Sequence, residues 1–75
     1  MNSNIEHLIL CENIRNLRKN NGLSKKEMAK LLGIGIKRLN LLEQNIIPKR
    51  LSCSIIIKIY KNFGILPKDI FSKLI

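Results

Sequence analysis

The chain has 75 residues and a formal net charge of +9, with 14 Lys and Arg against five acidic residues. A domain of this length buries only about 60% of the surface that its unfolded chain exposes. Apolar residues make up 45% of the sequence, with no Trp, so the core must be built from Ile and Leu. No apolar run approaches the ~20 residues needed to span a bilayer. The positive charge favours a polyanionic partner, because neutralised phosphates release counterions. The alternatives are that the charge only keeps the protein soluble, or that a basic amphipathic helix lies on a membrane surface.

The reactive side chains do not form a recognisable catalytic or metal site. Cys11 and Cys53 lack metal-ligand or redox spacing, and His7 is the only histidine. There is no paired-acid arrangement and no phosphate loop, so we predict a non-enzymatic protein without metal, cofactor or small-molecule ligand. Two isolated cysteines fit a reducing cytoplasm. Glu6 interrupts the segment where a signal peptide would be apolar, so we interpret the N-terminus as part of the mature protein.

The first predicted helix ends near Asn20. Ile14 and Leu17 mark its core-facing stripe, at three-residue spacing. Residues 20–22, Asn-Asn-Gly, form a strong stop because Gly accepts the left-handed conformation after a helix. Residues 1–9 either extend this helix or form an N-terminal arm. The polar residues expected to point outward are Arg15, Asn16 and Lys19.

The next two predicted helices are short. Ser24 is a good N-cap for helix 2, and Glu27 three residues later completes a capping box. Gly33 ends this helix. Helix 3 is expected from Gly35 or Ile36 to Gln44, where Asn45 can adopt the left-handed cap. The apolar residues expected on one face of helix 2 are Met28, Leu31 and Leu32.

Two further helices are predicted after a loop at residues 46–51. Ser52 can cap helix 4, which reaches about Phe63 and is closed by Gly64. Pro67 suits the first position of a last helix that continues to about Lys73. Residues expected to point inward from helix 4 are Ile55, Ile56, Ile59 and Phe63. Five short helices without a strand pattern predict a single all-α domain over residues 1–75.

Residues 24–44 have the lengths of a helix-turn-helix, although two short helices joined by a glycine turn also occur in structural bundles. The segment 23–44, LSKKEMAKLLGIGIKRLNLLEQ, resembles the XRE or lambda-repressor-like family of phage Cro proteins, repressors and bacterial regulators. The resemblance implies a compact five-helix fold, sequence-specific binding of double-stranded DNA and frequent dimerisation on palindromic sites. The matching residues are Leu23, Ser24, Glu27, Met28, Ala29, Leu32, Gly33, Ile34, Leu39, Leu42 and Glu43.

The resemblance also assigns roles to individual residues. It implies a partly buried ion pair between Arg18, late in helix 1, and Glu43 at the end of helix 3; the alternative is two unpaired surface charges. It places the start of helix 2 on DNA phosphates, which is favoured by the free N-H groups there. The expected phosphate contacts are Ser24, Lys25, Lys26, Lys49 and Arg50.

The resemblance implies that the outward side of helix 3 contacts DNA bases, and steps of about 100° per residue indicate which residues lie on that side. With Leu39 and Leu42 inward, the opposite side carries polar residues that can address guanine or adenine edges, and Leu41 and Ile36 stand out as apolar. These two can contact thymine methyl groups; the alternatives are that they belong to a protein interface or only tolerate exposure to solvent. The expected base contacts are Ile36, Lys37, Arg38, Asn40, Leu41 and Gln44.

The sequence therefore predicts a transcriptional regulator, expected to act as a repressor that occupies an operator. A protein-interaction module that kept the helix-turn-helix fold and lost base reading is the alternative, motivated by Ile36, Leu41, Ile46 and Ile47. A homodimer is also considered, because two copies would double the contacts at half-sites about 34–36 Å apart. Its candidate residues either form this interface or close the monomer core; they are Ile70, Phe71, Leu74 and Ile75.

Overall fold

The first helix, α1, spans Ser3–Asn20 and places one apolar stripe against the rest of the chain. The computed structural model describes residues 3–46 and 53–75. Residues 3–9 continue the helix, so of the two expectations for this segment the extended helix is confirmed over that range. The helix ends as predicted: Gly22 has φ 64°, and the Leu23 N-H donates to the Arg18 carbonyl at 2.9 Å. The buried stripe contains Leu10, Cys11, Ile14 and Leu17.

The second helix, α2, spans Lys25–Leu32 and is capped by its own sequence at both ends. The Ser24 hydroxyl accepts from the Glu27 N-H at 3.0 Å, and the Glu27 carboxylate accepts from the Ser24 N-H at 2.8 Å, which confirms the capping box. Gly33 has φ 72°, a left-handed conformation that a side chain would strain. Met28, Ala29 and Leu32 are buried. Leu31, which was expected on the same apolar face, is only half-buried and lies at the margin of the buried side of α2.

The third helix, α3, spans Ile36–Glu43 and ends one residue earlier than expected, because Gln44 forms the cap. Asn45 has φ 65°, which confirms the left-handed residue predicted there. Gly35 occupies the N-cap without a side-chain hydrogen bond. Buried Leu39 and Leu42 hold the helix to the core.

The last two helices close the fold. Helix α4 spans Cys53–Phe63, and helix α5 spans Pro67–Ser72 with Pro67 in its first turn. Ile55 and Ile59 are buried, whereas Ile56 and Phe63 are half-buried against the core. The loop residues 47–51 and the expected cap Ser52 lie outside the described residues.

The helices surround one apolar core, which confirms the all-α, five-helix prediction. Helix α1 packs against α3 and α5, α2 packs against α3 and α4, and α4 packs against α5. Ile70 is completely buried and Phe71 packs against the core, so these two close the monomer rather than offering an interface. Leu74 and Ile75 remain 67% and 42% exposed. In residues 3–46 and 53–75, none of the helices combines the length and the apolar character needed to cross a membrane.

Candidate nucleic-acid interface

The turn between α2 and α3 sets the angle at which α3 leaves the core. The Ile34 N-H donates to the Ala29 carbonyl at 3.0 Å, and the half-buried Ile34 packs against the core. Ala29 is 3% exposed, and its small side chain lets the two helices approach closely. Together with Leu39 and Leu42, these contacts fix one side of α3 and leave the other side free.

The free side of α3 carries most of the predicted base contacts. Ile36 is 44% and Leu41 is 41% exposed, and Lys37, Arg38 and Gln44 are exposed as well. Asn40 differs, because it is half-buried and its Oδ1 atom is enclosed without a hydrogen-bond partner among the described residues. Five of the six residues are therefore exposed on α3, whereas Asn40 is half-buried.

A shallow depression lies where the turn meets this open face. Gly33 and Gly35 line it together with Lys37, Arg38 and Leu41. Glycines lack a Cβ, so another backbone could approach the turn closely there. The depression therefore combines a small apolar surface from Leu41 with two cations beside it.

The first turn of α2 contains the other described part of the interface. Ser24, Lys25 and Lys26 are all exposed there. Hydrogen bonds from the Ser24 backbone and side chain lower the pKa of the Glu27 carboxyl, although the burial of that carboxyl opposes the shift slightly. Glu27 is thus a carboxylate at neutral pH, beside the two lysines. The other predicted phosphate contacts, Lys49 and Arg50, lie outside the described residues.

Arg18 and Glu43 lie together where α1 meets the end of α3. The Arg18 Nε donates to Glu43 Oε2 at 2.7 Å and the Nη2 donates to Oε1 at 3.0 Å, so the pair is bidentate. Their side chains are 16% and 6% exposed. The Arg18 Nη1 also donates to the Leu23 carbonyl at 3.3 Å. One guanidinium therefore joins α1, the turn before α2 and the end of α3.

Arg15 makes a second contact with the end of α3 that the sequence prediction missed. We expected Arg15 to point outward, and this was wrong: its Nη1 donates to the Glu43 main-chain carbonyl at 2.6 Å and its Nη2 pairs with Glu12. Helix α1 crosses the end of α3 there, so a guanidinium on that side of α1 meets a free carbonyl. The spacing of Arg15 and Arg18, three residues apart and hence on one side of the helix, is the signal that could have indicated it.

The C-terminal residues are held against α1 by two asparagines. Asn13 is completely buried; its Nδ2 donates to the carbonyls of Ile70 and Lys73 at 2.8 and 2.7 Å, and its Oδ1 accepts from the Ile75 N-H at 2.9 Å. Asn16, which was expected to point outward, donates to the Ile75 carbonyl at 3.2 Å. The polar groups on this side of α1 therefore bind the end of α5 rather than solvent.

The His, Cys, Asp and Glu side chains of the described residues are not grouped as a metal site. Among residues 3–46 and 53–75, no three His, Cys, Asp or Glu side chains come together in an arrangement that could hold a metal ion. Burial raises the pKa of the Cys11 thiol, and the nearby Arg15 opposes the shift only in part, so the thiol stays protonated at neutral pH. Cys53 is exposed and also free. The arrangement at α2 and α3 is suited to binding through cations, amides and apolar side chains.

The sequence matches a known protein family. A model of a helix-turn-helix domain family matches residues 11–73, which includes α2, the turn and α3. The match confirms the helix-turn-helix prediction and is consistent with the XRE-type resemblance. No curated protein and no solved structure matches the chain.

Proposed function

Because the chain belongs to this helix-turn-helix domain family, we propose that it binds double-stranded DNA at specific sequences and regulates transcription, with α3 in the major groove. The observation that carries the proposal is the division of α3 into two sides. Leu39, Leu42 and Glu43 are buried, whereas Lys37, Arg38 and Gln44 are exposed on the opposite side. A helix fixed on one side with hydrogen-bonding groups on the other is what reading of base edges requires.

Phosphate contacts would position α3 along the duplex. We assign this role to Lys25 and Lys26 at the start of α2, and to Lys49 and Arg50 after α3. The net charge of +9 supports it, since each neutralised phosphate adds affinity that falls with salt. By occupying an operator, such a protein would exclude polymerase, and we therefore assign it the role of a repressor.

Selection of bound sites from random DNA, followed by gel-shift titration at several salt concentrations, tests this proposal. We expect an enriched site and a slope of log K against log salt of about −4 for each bound protomer, from four phosphate contacts. Absence of DNA binding below micromolar protein at low salt would contradict the DNA-binding function. Binding without any enriched site would leave a non-specific DNA-binding protein.

Ile36 and Leu41 should give the site a preference for thymine. Both side chains are more than two-fifths exposed on the open side of α3, where they can cover the C5 methyl group of thymine. Replacing thymine by deoxyuridine in the selected site removes only that methyl group. We expect each contacted position to lose about fourfold in affinity, the value of roughly 0.8 kcal/mol for one buried carbon.

The variant Leu41→Ala is the matched control for this experiment. This variant should bind the thymine site more weakly than wild type does. Its affinity should not change when deoxyuridine replaces thymine at the position that Leu41 covers. If wild type binds the thymine and deoxyuridine sites equally, the two apolar side chains do not read methyl groups.

A protein-interaction function is the second candidate, and the same exposure supports it. Ile36, Leu41 and Ile46 are each more than 40% exposed near the turn and the end of α3. If another protein covered these residues, loss of base reading would be compatible with the fold. The gel-shift titration distinguishes the two candidates, because only the DNA-binding candidate requires an enriched site.

We also propose that two copies bind a two-fold symmetric site. Leu74 is 67% and Ile75 is 42% exposed at the end of the chain held by Asn13 and Asn16. Pairing there would present two α3 helices to half-sites about 34–36 Å apart. Selected sites should then be inverted repeats, and Leu74→Asp should convert the dimer to a monomer in sedimentation. A monomer for wild type bound to a single, unrepeated site would rule out this pairing.

A further inference from the structure

A second surface of the molecule, formed by α2 and α4, combines cations with apolar side chains. A groove between α2 and α4, which we call the α2–α4 groove, has Leu23 and Leu31 at its base and offers about 630 Å³. Lys30, Lys58 and Lys61 line the same groove. Both leucines are half-buried, so the base stays partly accessible, and all three lysines are exposed.

The groove is formed before any partner binds. The Asn62 Nδ2 donates to the Leu31 carbonyl at 3.4 Å and to the Lys58 carbonyl at 2.9 Å, which ties the last turn of α2 to α4. Lys58 lies across the end of α2, since a Cβ built at Gly33 would be only 2.5 Å from its Nζ atom. The Asn62 hydrogen bonds therefore help to set the spacing of the two helices, and the exposed Lys58 ammonium lies beside Gly33.

The charges in the groove favour a negatively charged occupant. Three lysines face one acidic residue, Glu27, whose carboxylate is already bound by the Ser24 N-H in the capping box. Anionic groups are thus attracted to the groove edge. A second copy of the chain offers few of them, because only five of its residues are acidic and Glu12, Glu27 and Glu43 already accept hydrogen bonds within the protein.

The apolar floor distinguishes between the remaining anions. A DNA phosphate would bury no apolar surface on Leu23 and Leu31. A peptide that carries both acidic and apolar side chains would satisfy the floor and the lysines together. We propose that the α2–α4 groove binds an acidic peptide segment of a partner protein, anchored by an apolar side chain over Leu23 and Leu31. This site does not depend on the DNA-binding function.

Binding of a synthetic helical peptide tests the proposal. The probe is a fluorescein-labelled peptide with Leu at three- and four-residue spacing and Glu at the other exposed positions, and its fluorescence anisotropy is measured with the full chain. We expect saturable binding and amide chemical-shift changes at Leu23, Leu31 and Asn62. A peptide with Ser in place of Leu should bind at least tenfold more weakly. No saturable binding, or equal binding of the serine peptide, would overturn the proposal.

Two variants of equal charge separate the groove from the general attraction of a basic protein for acids. An exposed ion pair contributes about two- to fivefold in affinity, and three such pairs multiply to about tenfold or more. The triple variant Lys30→Gln/Lys58→Gln/Lys61→Gln should therefore lose about tenfold or more in peptide affinity. The matched triple variant Lys19→Gln/Lys68→Gln/Lys73→Gln, which changes exposed lysines outside the groove, should lose less than about threefold. Equal losses in the two variants would overturn the proposal.

Two additional measurements keep these outcomes interpretable. If the change at Lys58 prevents folding, Lys61→Gln against Lys19→Gln makes the same comparison with single exposed lysines. A random-sequence DNA duplex is titrated against both triple variants. Loss of DNA affinity confined to the groove variant, together with no peptide binding by wild type, would assign the groove to DNA and overturn the peptide proposal.

Discussion

The two helices of the helix-turn-helix have the same length and are held in place by different means. Helix α2 is capped by Ser24 and Glu27 at its start and by Gly33 at its end, all within ten residues of sequence. Helix α3 has no side-chain cap at Gly35. Its last residue, Glu43, accepts hydrogen bonds from two arginines of α1. The orientation of α3 therefore depends on residues 25 and 28 positions earlier in the chain.

Electrostatics explains why α3 needs this external support. Glu43 puts a carboxylate at the C-terminal end of a helix, where the helix dipole is already negative and acids are unfavourable. Arg18 neutralises the carboxylate, and Arg15 binds the main-chain carbonyl of the same residue. The two arginines thus stabilise α3, the helix proposed to read DNA, at its C-terminal end, where its own sequence is least favourable to a helix.

The largest expected effect comes from removing Arg18. The variant Arg18→Ala leaves the buried Glu43 carboxylate without its ion-pair partner, and the free energy of unfolding should fall by about 3 kcal/mol. For a domain of this size the thermal midpoint should drop by about 10 °C or more. DNA affinity of the molecules that remain folded should change less.

The double variant Arg18→Met/Glu43→Leu is the control, because an apolar pair of similar volume often replaces a buried ion pair at little cost. It should recover most of the lost stability in urea unfolding. Equal thermal midpoints for Arg18→Ala and wild type would eliminate the ion pair as a support of α3.

The reverse pattern is expected on the open side of α3. In Lys37→Ala/Gln44→Ala the DNA affinity should fall about thirtyfold, roughly 2 kcal/mol, because hydrogen bonds to base edges are lost. Both side chains are exposed, so the free energy of unfolding should change by less than about 0.5 kcal/mol for each. The pair Lys19→Ala/Lys68→Ala alters exposed lysines elsewhere. If that pair weakens specific binding as much, the open side of α3 does not read bases.

A smaller effect is expected at the local cap of α2. In Ser24→Ala the hydroxyl that accepts from the Glu27 N-H is lost, which should lower the free energy of unfolding by about 1 kcal/mol. Ser24→Asp should retain the cap and the stability, and its negative charge should weaken binding to DNA phosphate. Normal DNA affinity in Ser24→Asp would exclude Ser24 from the phosphate contacts.

The smallest effect is a dependence of stability on pH at the same cap. The pKa of Glu27 is lowered in the folded state by its hydrogen bonds to Ser24, below the ordinary value of 4.5. Its stabilisation is therefore complete above pH 4.5 and is lost as the pH falls through the folded-state pKa. Urea unfolding of wild type and Glu27→Gln across this range should show a shallower pH dependence for the variant. If the free energy of unfolding varies with pH in the same way in wild type and Glu27→Gln, Glu27 does not contribute to the pH dependence of stability.

The same contrast between α2 and α3 explains which features the sequence could predict. The limits of α2, the left-handed Asn45 and the open side of α3 depend on neighbouring residues or on helical spacing, and these predictions agree with the structure. The role of Arg15 was missed because its partner is a main-chain carbonyl on another helix. Asn13 was missed for the same reason, since its partners lie 57 to 62 residues away.

The amino-acid sequence alone determined five helices, the capping box of α2, the turns at Gly22, Gly33 and Asn45, and a helix-turn-helix with cations, amides and two apolar residues on the outward side of α3. These features depend on local backbone preferences and on the periodicity of apolar residues. Only the tertiary structure showed that Arg15 joins the expected Arg18–Glu43 ion pair at the end of α3, that Asn40 is half-buried, and that lysines of α2 and α4 line one groove with Leu23 and Leu31. Those features depend on how the helices cross, because groups that are distant in sequence come within hydrogen-bonding distance only when the core is packed.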